Sequence, residues 1–239
     1  MDLFERAQIF VGNTGENYVT VGQLQLELLR MNGCTPDSRV LEVGCGCLVA
    51  GRPIMQFLKP DRYVGIEPNE WLIDAVIEGL PDTTALLAEK RPIFLPVTDF
   101  DASSTGRMFD FVISHSILSH AAYWQYPQLL RAIRTVLAPN GVALASIRFY
   151  NDDHELVGDS NDQDWVYPGV SFFSWDTARD MAVKHGLLPE WRPDYREFFT
   201  KRAARNYHDW LRLTHLTISP RNPLRFLWQF MARETPRNR

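Results

Sequence analysis

The feature that most constrains this chain is an alternation. Short apolar runs at 39–43 (RVLEV), 63–67 (YVGIE), 109–114 (FDFVIS) and 142–147 (VALASI) are separated by segments with helical periodicity. Apolar runs of this length, bounded by turn formers, read as buried strands. Strands and helices alternating at this spacing predict a mostly parallel sheet covered by helices on both faces. The run 91–97, interrupted by Pro92 and Pro96, adds a strand, and 187–192 with 209–217 would form a closing pair, giving seven strands. Helices are expected over 16–30, where Val21, Leu24, Leu28 and Leu29 share a face, and over 51–58, 71–80, 126–137 and 177–185. The helix at 126–137 should end at the turn Pro139-Asn140-Gly141.

Composition narrows the class. A length of 239 residues suits one large α/β domain. Hydrophobic residues at 45% and charged residues at 23% describe a globular chain, not a disordered one. The apolar runs fall well short of the ~18 residues needed to span a bilayer. The start, MDLFERAQIF, lacks the basic and then apolar pattern of a secretory signal. Cys34, Cys45 and Cys47 are too few for a disulfide framework or a four-cysteine zinc site. Cys45 and Cys47 read as small residues in a tight loop, no metal is expected, and a reducing cytoplasm fits.

Two segments stand apart from the alternation. Residues 151–164 hold six acids and almost no core residues, and Trp165, Tyr167, Pro168, Gly169 and Phe172 follow. A loop this long is usually functional or disordered, so 151–173 is expected to be a lid-like insert. Residues 196–239 hold ten Lys/Arg against three Asp/Glu, within a chain of net charge −4. The domain is thus expected over 1–217, with a helical cap at about 1–35. A basic, aromatic extension follows at 218–239 and could pack on the domain, join a homodimer or lie on a membrane surface.

Ligands of open parallel sheets bind beyond the carboxyl ends of the strands, where strand order reverses. Three features fall at such ends: Glu42-Val43-Gly44-Cys45-Gly46, Glu67, and the Ser114-His115-Ser116 corner. Glycines let the backbone approach a ligand closely. A carboxylate at Glu67 can accept hydrogen bonds from both ribose hydroxyls. The loop reads GCGCLV, with Val49 where a dinucleotide fingerprint would place its last glycine, so a pyrophosphate is disfavoured.

Taken in order, VLEVGCG, YVGIEPN, FDFVISHSILSH and VLAPNGVALASI resemble the motifs of class I S-adenosylmethionine-dependent methyltransferases. The resemblance covers roughly 18–190 and implies a Rossmann-like fold with S-adenosylmethionine as cofactor. It implies that Glu42, Gly44, Cys45 and Gly46 face the methionine portion and that Glu67 holds the ribose. Pro68 and Asn69 would border the adenine, Asp99 would reach its amine with Phe100 beside the ring, and Ser114 and His115 would close the pocket. The chain departs from the family in one place, where Leu48 stands at the position of a frequent third glycine.

A hydroxyl acceptor needs a base, and His115 or His120 near the mouth of the fourth strand could serve. If 116–124 were helical, the two histidines would point in different directions. Tyr123, Trp124, Trp165, Tyr167 and Phe172 are candidate aromatic walls for the acceptor. The low overall basicity disfavours a nucleic-acid acceptor. The expected activity is methyl transfer to an oxygen or nitrogen of a small metabolite or natural product. A macromolecular acceptor (glycan, lipid, protein or RNA) and a non-catalytic cofactor-binding role are the alternatives.

Overall fold

Val40–Val43 (β1) is buried at every position, Glu42 included, as befits a central strand. In the computed structural model, which describes residues 1–150, 165–203 and 208–216, seven strands form one sheet. They are β1, Tyr63–Ile66 (β2), Ile93–Leu95 (β3), Phe109–Ser114 (β4), Leu137–Ile147 (β5), Leu187–Trp191 (β6) and Asp209–His215 (β7). Their order is β3-β2-β1-β4-β5-β7-β6. All pairings are parallel except those of β7, which runs antiparallel to β5 and β6. Strand order reverses between β1 and β4, and a crevice opens there at their carboxyl ends.

Period-two alternation distributes the strand side chains between two cores. Val40, Phe111, Ile113, Val142 and Leu144 pack with the helices of one face. Leu41, Val43, Val64, Ile66, Val112 and Ala143 pack on the other. The first face carries Leu3–Phe10 (α1), Glu16–Met31 (α2), Gly51–Phe57 (α3), Trp71–Gly79 (α4), Thr83–Lys90 (α5) and Pro193–Thr200 (α8). The second carries Gln125–Val136 (α6) and Trp175–Lys184 (α7). No described helix is long and apolar enough to cross a membrane.

Several local expectations are corrected. Residues 116–124 are turns, not a helix. Pro139-Asn140-Gly141 does not separate α6 from a strand beginning at 142. It lies inside β5, where the register against β4 jumps from Phe109↔Leu137 to Phe111↔Val142, so the turn is absorbed as a bulge. Helices α1, α5 and α8 are additional: α1 is nucleated by a capping box between Asp2 and Glu5, and α8 by Pro193 in its first turn. The acidic part of the insert, 151–164, and the extension 218–239 lie outside the described residues.

Helix α2 is seated directly on the glycine loop. The Tyr18 hydroxyl donates to the Cys47 carbonyl at 2.8 Å. A Cβ on Gly22 would lie 2.0 Å from the Val49 carbonyl oxygen. Alanine normally favours a helix interior over glycine by about 1 kcal/mol. Here the contact is with rigid backbone, so Gly22→Ala is expected to lower stability by about 1–3 kcal/mol, the usual cost of overpacking. Urea unfolding checks this, and a stabilised variant would show that α2 does not clamp the loop.

Candidate functional site

The crevice at the β1/β4 reversal is a cavity of about 530 Å³. A shallower depression of about 570 Å³, near Arg30, Cys34 and Phe57, lies at the amino end of β1, where such sheets do not bind ligands.

The cavity floor is the turn after β1. Gly44 and Cys45 donate their backbone N–H groups to the Ile66 carbonyl at 2.9 and 3.0 Å. Gly44 has φ +74°, and a Cβ there would lie 2.1 Å from Cδ1 of Ile117, so only glycine fits. Leu48, at the family's third glycine position, adopts φ +57° and is fully buried. The loop therefore keeps a glycine-like backbone at that position despite the side chain, a conformation that stores about 1–2 kcal/mol of strain. Gly51 lets α3 approach Tyr63 and Glu42 closely. Cys45 and Cys47 are buried, and burial pushes both thiols up, that of Cys47 to about 12. They are small, protonated packing residues. Among the described residues no group of three or more His, Cys, Asp or Glu is arranged to hold a metal.

Two acidic residues flank this floor. Glu67 uses both oxygens: Oε2 accepts from the Gly46 N–H at 3.0 Å, and Oε1 accepts from the backbone and side-chain amides of Asn69 at 2.9 and 2.8 Å. It thus ties the loops after β1 and β2 together while lining the cavity. Glu42 is buried beneath and accepts from the Tyr63 hydroxyl at 2.5 Å. Burial pushes its carboxyl up to about 8, against the Tyr63 hydrogen bond and with the help of the Glu67 charge.

Most of the expected cofactor residues converge here. Glu42, Gly44, Cys45, Gly46, Glu67, Pro68, Asn69 and Phe100 all line the cavity. Two do not. Asp99 is exposed, outside the lining, and its Oδ1 accepts from the Asp101 N–H at 3.1 Å, so it is occupied in forming a turn. Ser114 is fully buried within β4, its hydroxyl unpartnered and away from the lining. Phe100 reaches the cavity because the chain turns sharply at φ +65°.

Beyond the carboxyl end of β4 the lining changes character. Ser116, itself at φ +62°, places its hydroxyl 3.2 Å from Nε2 of His120 and 3.4 Å from Nε2 of His208. Nδ1 of His120 lies 2.6 Å from the Gly169 carbonyl. A carbonyl can only accept, so Nδ1 carries the proton and Nε2 of the neutral ring presents its lone pair to Ser116. Burial lowers the His120 pKa, and the Arg148 charge adds to this against the Gly169 hydrogen bond, which keeps the ring neutral. His115 also lines the cavity, but its ring is stacked on Phe199 and Trp210 at centroid distances of 6.0 and 5.5 Å.

Of the expected aromatic walls, Trp124, Trp165 and Tyr167 line the cavity. Tyr167 stands 4.9 Å from the His120 ring, edge to face. Tyr123 and Phe172 turn away and stack on Phe173 and Tyr150. Sequence reasoning missed a roof. Phe10, Val11 and Asn13, at and just beyond the end of α1, also line the cavity, and Phe10 lies 5.9 Å from Tyr167. It also missed Gln25 and Gln128, on opposite faces of the sheet, and His208. The one local signal was Gly12-Asn13, a turn pair close to an otherwise apolar helix.

This geometry can be set against known proteins. The methyltransferase domain family matches residues 20–212. No curated protein sequence matches. Among solved structures, magnesium protoporphyrin IX methyltransferase (ChlM) from Synechocystis PCC 6803, with bound SAH, superposes with TM-score 0.60 at 14% identity, covering 89% of this chain and 94% of that one. The CcbJ methyltransferase from Streptomyces caelestis gives 0.60 at 12% identity, covering 90% and 99%. The glycopeptide N-methyltransferase MtfA, complexed with SAM, gives 0.59 at 13% identity, covering 82% and 94%. At these identities the structural likeness establishes a shared fold, while the family match extends over most of the sequence. The chain belongs to the methyltransferase domain family and has the class I methyltransferase fold.

Proposed function

We propose that this protein transfers a methyl group from S-adenosylmethionine to a hydroxyl oxygen of a small metabolite or natural product, with His120 as the base. The observation that carries the reading is the fixed tautomer of His120, whose Nε2 faces a cavity-lining hydroxyl. The cavity also fits the cofactor: a glycine floor that a Cβ would fill, and a carboxylate with both oxygens directed to cofactor-binding loops.

When bound, S-adenosylmethionine, the cofactor of this family, supplies a methyl group already activated on a sulfonium. Glu67 would hold the ribose, with Pro68, Asn69 and Phe100 bordering the adenine. Trp124, Trp165 and Tyr167 would wall the acceptor and exclude water, and positioning of this kind supplies much of the acceleration. Nε2 of His120 would take the hydroxyl proton as the acceptor oxygen gains the methyl. Among the described lining residues the only carboxylates are Glu42 and Glu67, both at the glycine loops. Removal of a proton by a neutral imidazole is what a hydroxyl acceptor requires, which favours oxygen as the acceptor atom.

Methyl-labelled S-adenosylmethionine tests the proposal against panels of phenols, sugars and amines. Label in hydroxyl compounds is expected. Label confined to RNA, protein or lipid fractions would overturn the small-molecule assignment. The cofactor site has its own check. Glu67→Ala is expected to weaken S-adenosylmethionine binding by about 1.5–3 kcal/mol, the range for hydrogen bonds to a charged group. Unchanged affinity by calorimetry would remove Glu67 from the site.

A further inference from the structure

Helix α2 buries Val21, Leu24, Leu28 and Leu29, and among them stands one glutamine. Gln25 is only 3% exposed. Its Oε1 is buried without a hydrogen-bond partner, and no described contact engages the other end of its carboxamide. Buried polar groups are nearly always satisfied, and an orphaned one is costly. The residue lines the same cavity as Glu42 and Val49, and Gly22, one turn earlier, seats α2 against the Val49 carbonyl.

What would satisfy it follows from the cofactor's three parts. The flat, apolar wall at Phe100, Val97 and Ile117 suits a base, and Glu67 suits the diol of a ribose. The remaining part is an α-amino acid, which carries a donor-only ammonium and an acceptor-only carboxylate. A carboxamide offers one acceptor and one donor group, so a single glutamine can engage both. Glu42, which lines the same cavity, supplies a second acceptor for the ammonium. Which end of the amide faces which group does not affect the match, since rotation about the last side-chain bond exchanges them.

We propose that Gln25, together with Glu42, is the specificity-determining clamp for the amino-acid end of the cofactor. The assignment rests on the S-adenosylmethionine reading above. Gln25 serves binding at some expense to the stability of the empty protein, so the two properties should move in opposite directions when it is replaced.

Gln25→Met keeps length and helix propensity and removes both hydrogen-bonding groups. Calorimetry would compare S-adenosylhomocysteine with 5′-methylthioadenosine, which lacks the amino acid. The variant is expected to bind S-adenosylhomocysteine about 10- to 100-fold more weakly and 5′-methylthioadenosine as the wild type does. Its melting temperature without ligand is expected to rise by about 2–4 °C. Equal weakening of both thioethers, a lowered melting temperature, or unchanged S-adenosylhomocysteine affinity would each overturn the clamp. The wild type gives an independent measurement with thioethers carrying aminopropyl or carboxypropyl in place of the amino acid. Each should bind more weakly than S-adenosylhomocysteine, and parity of either would also overturn it. Wild-type binding of 5′-methylthioadenosine alongside any of these failures leaves the cofactor reading standing, whereas binding of no thioether at all overturns both.

Discussion

Replacing His120 with glutamine is expected to cut turnover by about 10²–10⁴-fold, the range for loss of a positioned general base, while S-adenosylhomocysteine affinity stays at the wild-type value. Glutamine retains a donor for the Gly169 carbonyl but has no basic nitrogen to offer at Nε2. The wild-type rate should rise with pH as the ring loses its proton. The midpoint should fall below the ordinary histidine value near 6.5, because burial disfavours the imidazolium. That acidic limb should vanish in the variant. His115→Gln supplies the contrast. Its ring is packed against Phe199 and Trp210, so its loss should act mainly through acceptor KM and stability and leave the limb in place. A His120 variant with full turnover and an unaltered pH profile would move the chemistry to positioning alone.

How far the sequence leads depends on how local the cause is. The strands β1, β2 and β4 announce themselves because both their faces are largely buried, so their sequences are mostly apolar, broken only by Glu42, Asp110 and Ser114. Gly44 and Glu67 are legible for a related reason: at the carboxyl end of a buried strand, a glycine or an acid breaks the apolar run where a ligand would sit. The short helices α1, α5 and α8 are different, since eight residues form a stable helix only through caps and packing partners far away in sequence. Leu48 shows the limit of pattern matching, because a leucine there takes the backbone of the glycine it replaces once its side chain is buried. Asp99 shows the converse. An acid at the expected position is captured by the N–H two residues on and never reaches the cavity. His208 and Gln25 could not have been read at all. His208 meets Ser116 across 92 positions of sequence. Gln25 is indistinguishable from its helical neighbours until the fold leaves its carboxamide oxygen without a partner.

Glu42 is expected to contribute a component of stability that the unliganded protein loses as pH rises from about 5 towards 8, and Glu42→Gln should remove that component. In the unfolded chain Glu42 titrates near 4.5, whereas in the fold burial holds it at about 8. Between those values the folded protein binds a proton that the unfolded chain has released, so each rise in pH favours unfolding. The slope from this one group approaches about 1.4 kcal/mol per pH unit and fades below 4.5 and above 8. His120 and His208 act in the opposite sense. Burial lowers both, so below 6.5 they add stability as pH rises. The difference between wild type and Glu42→Gln, followed by urea midpoints across this range, isolates the carboxyl. The variant should match the wild type most closely near pH 5 and exceed it increasingly towards pH 8, since glutamine can still accept from the Tyr63 hydroxyl without burying a charge. Parallel curves would mean that Glu42 is already ionised in the fold. Saturation with S-adenosylhomocysteine sharpens the test, because an ammonium docked between Glu42 and Gln25 favours the carboxylate. The difference between the two proteins should then shrink or change sign, and the same comparison with 5′-methylthioadenosine should leave it unchanged.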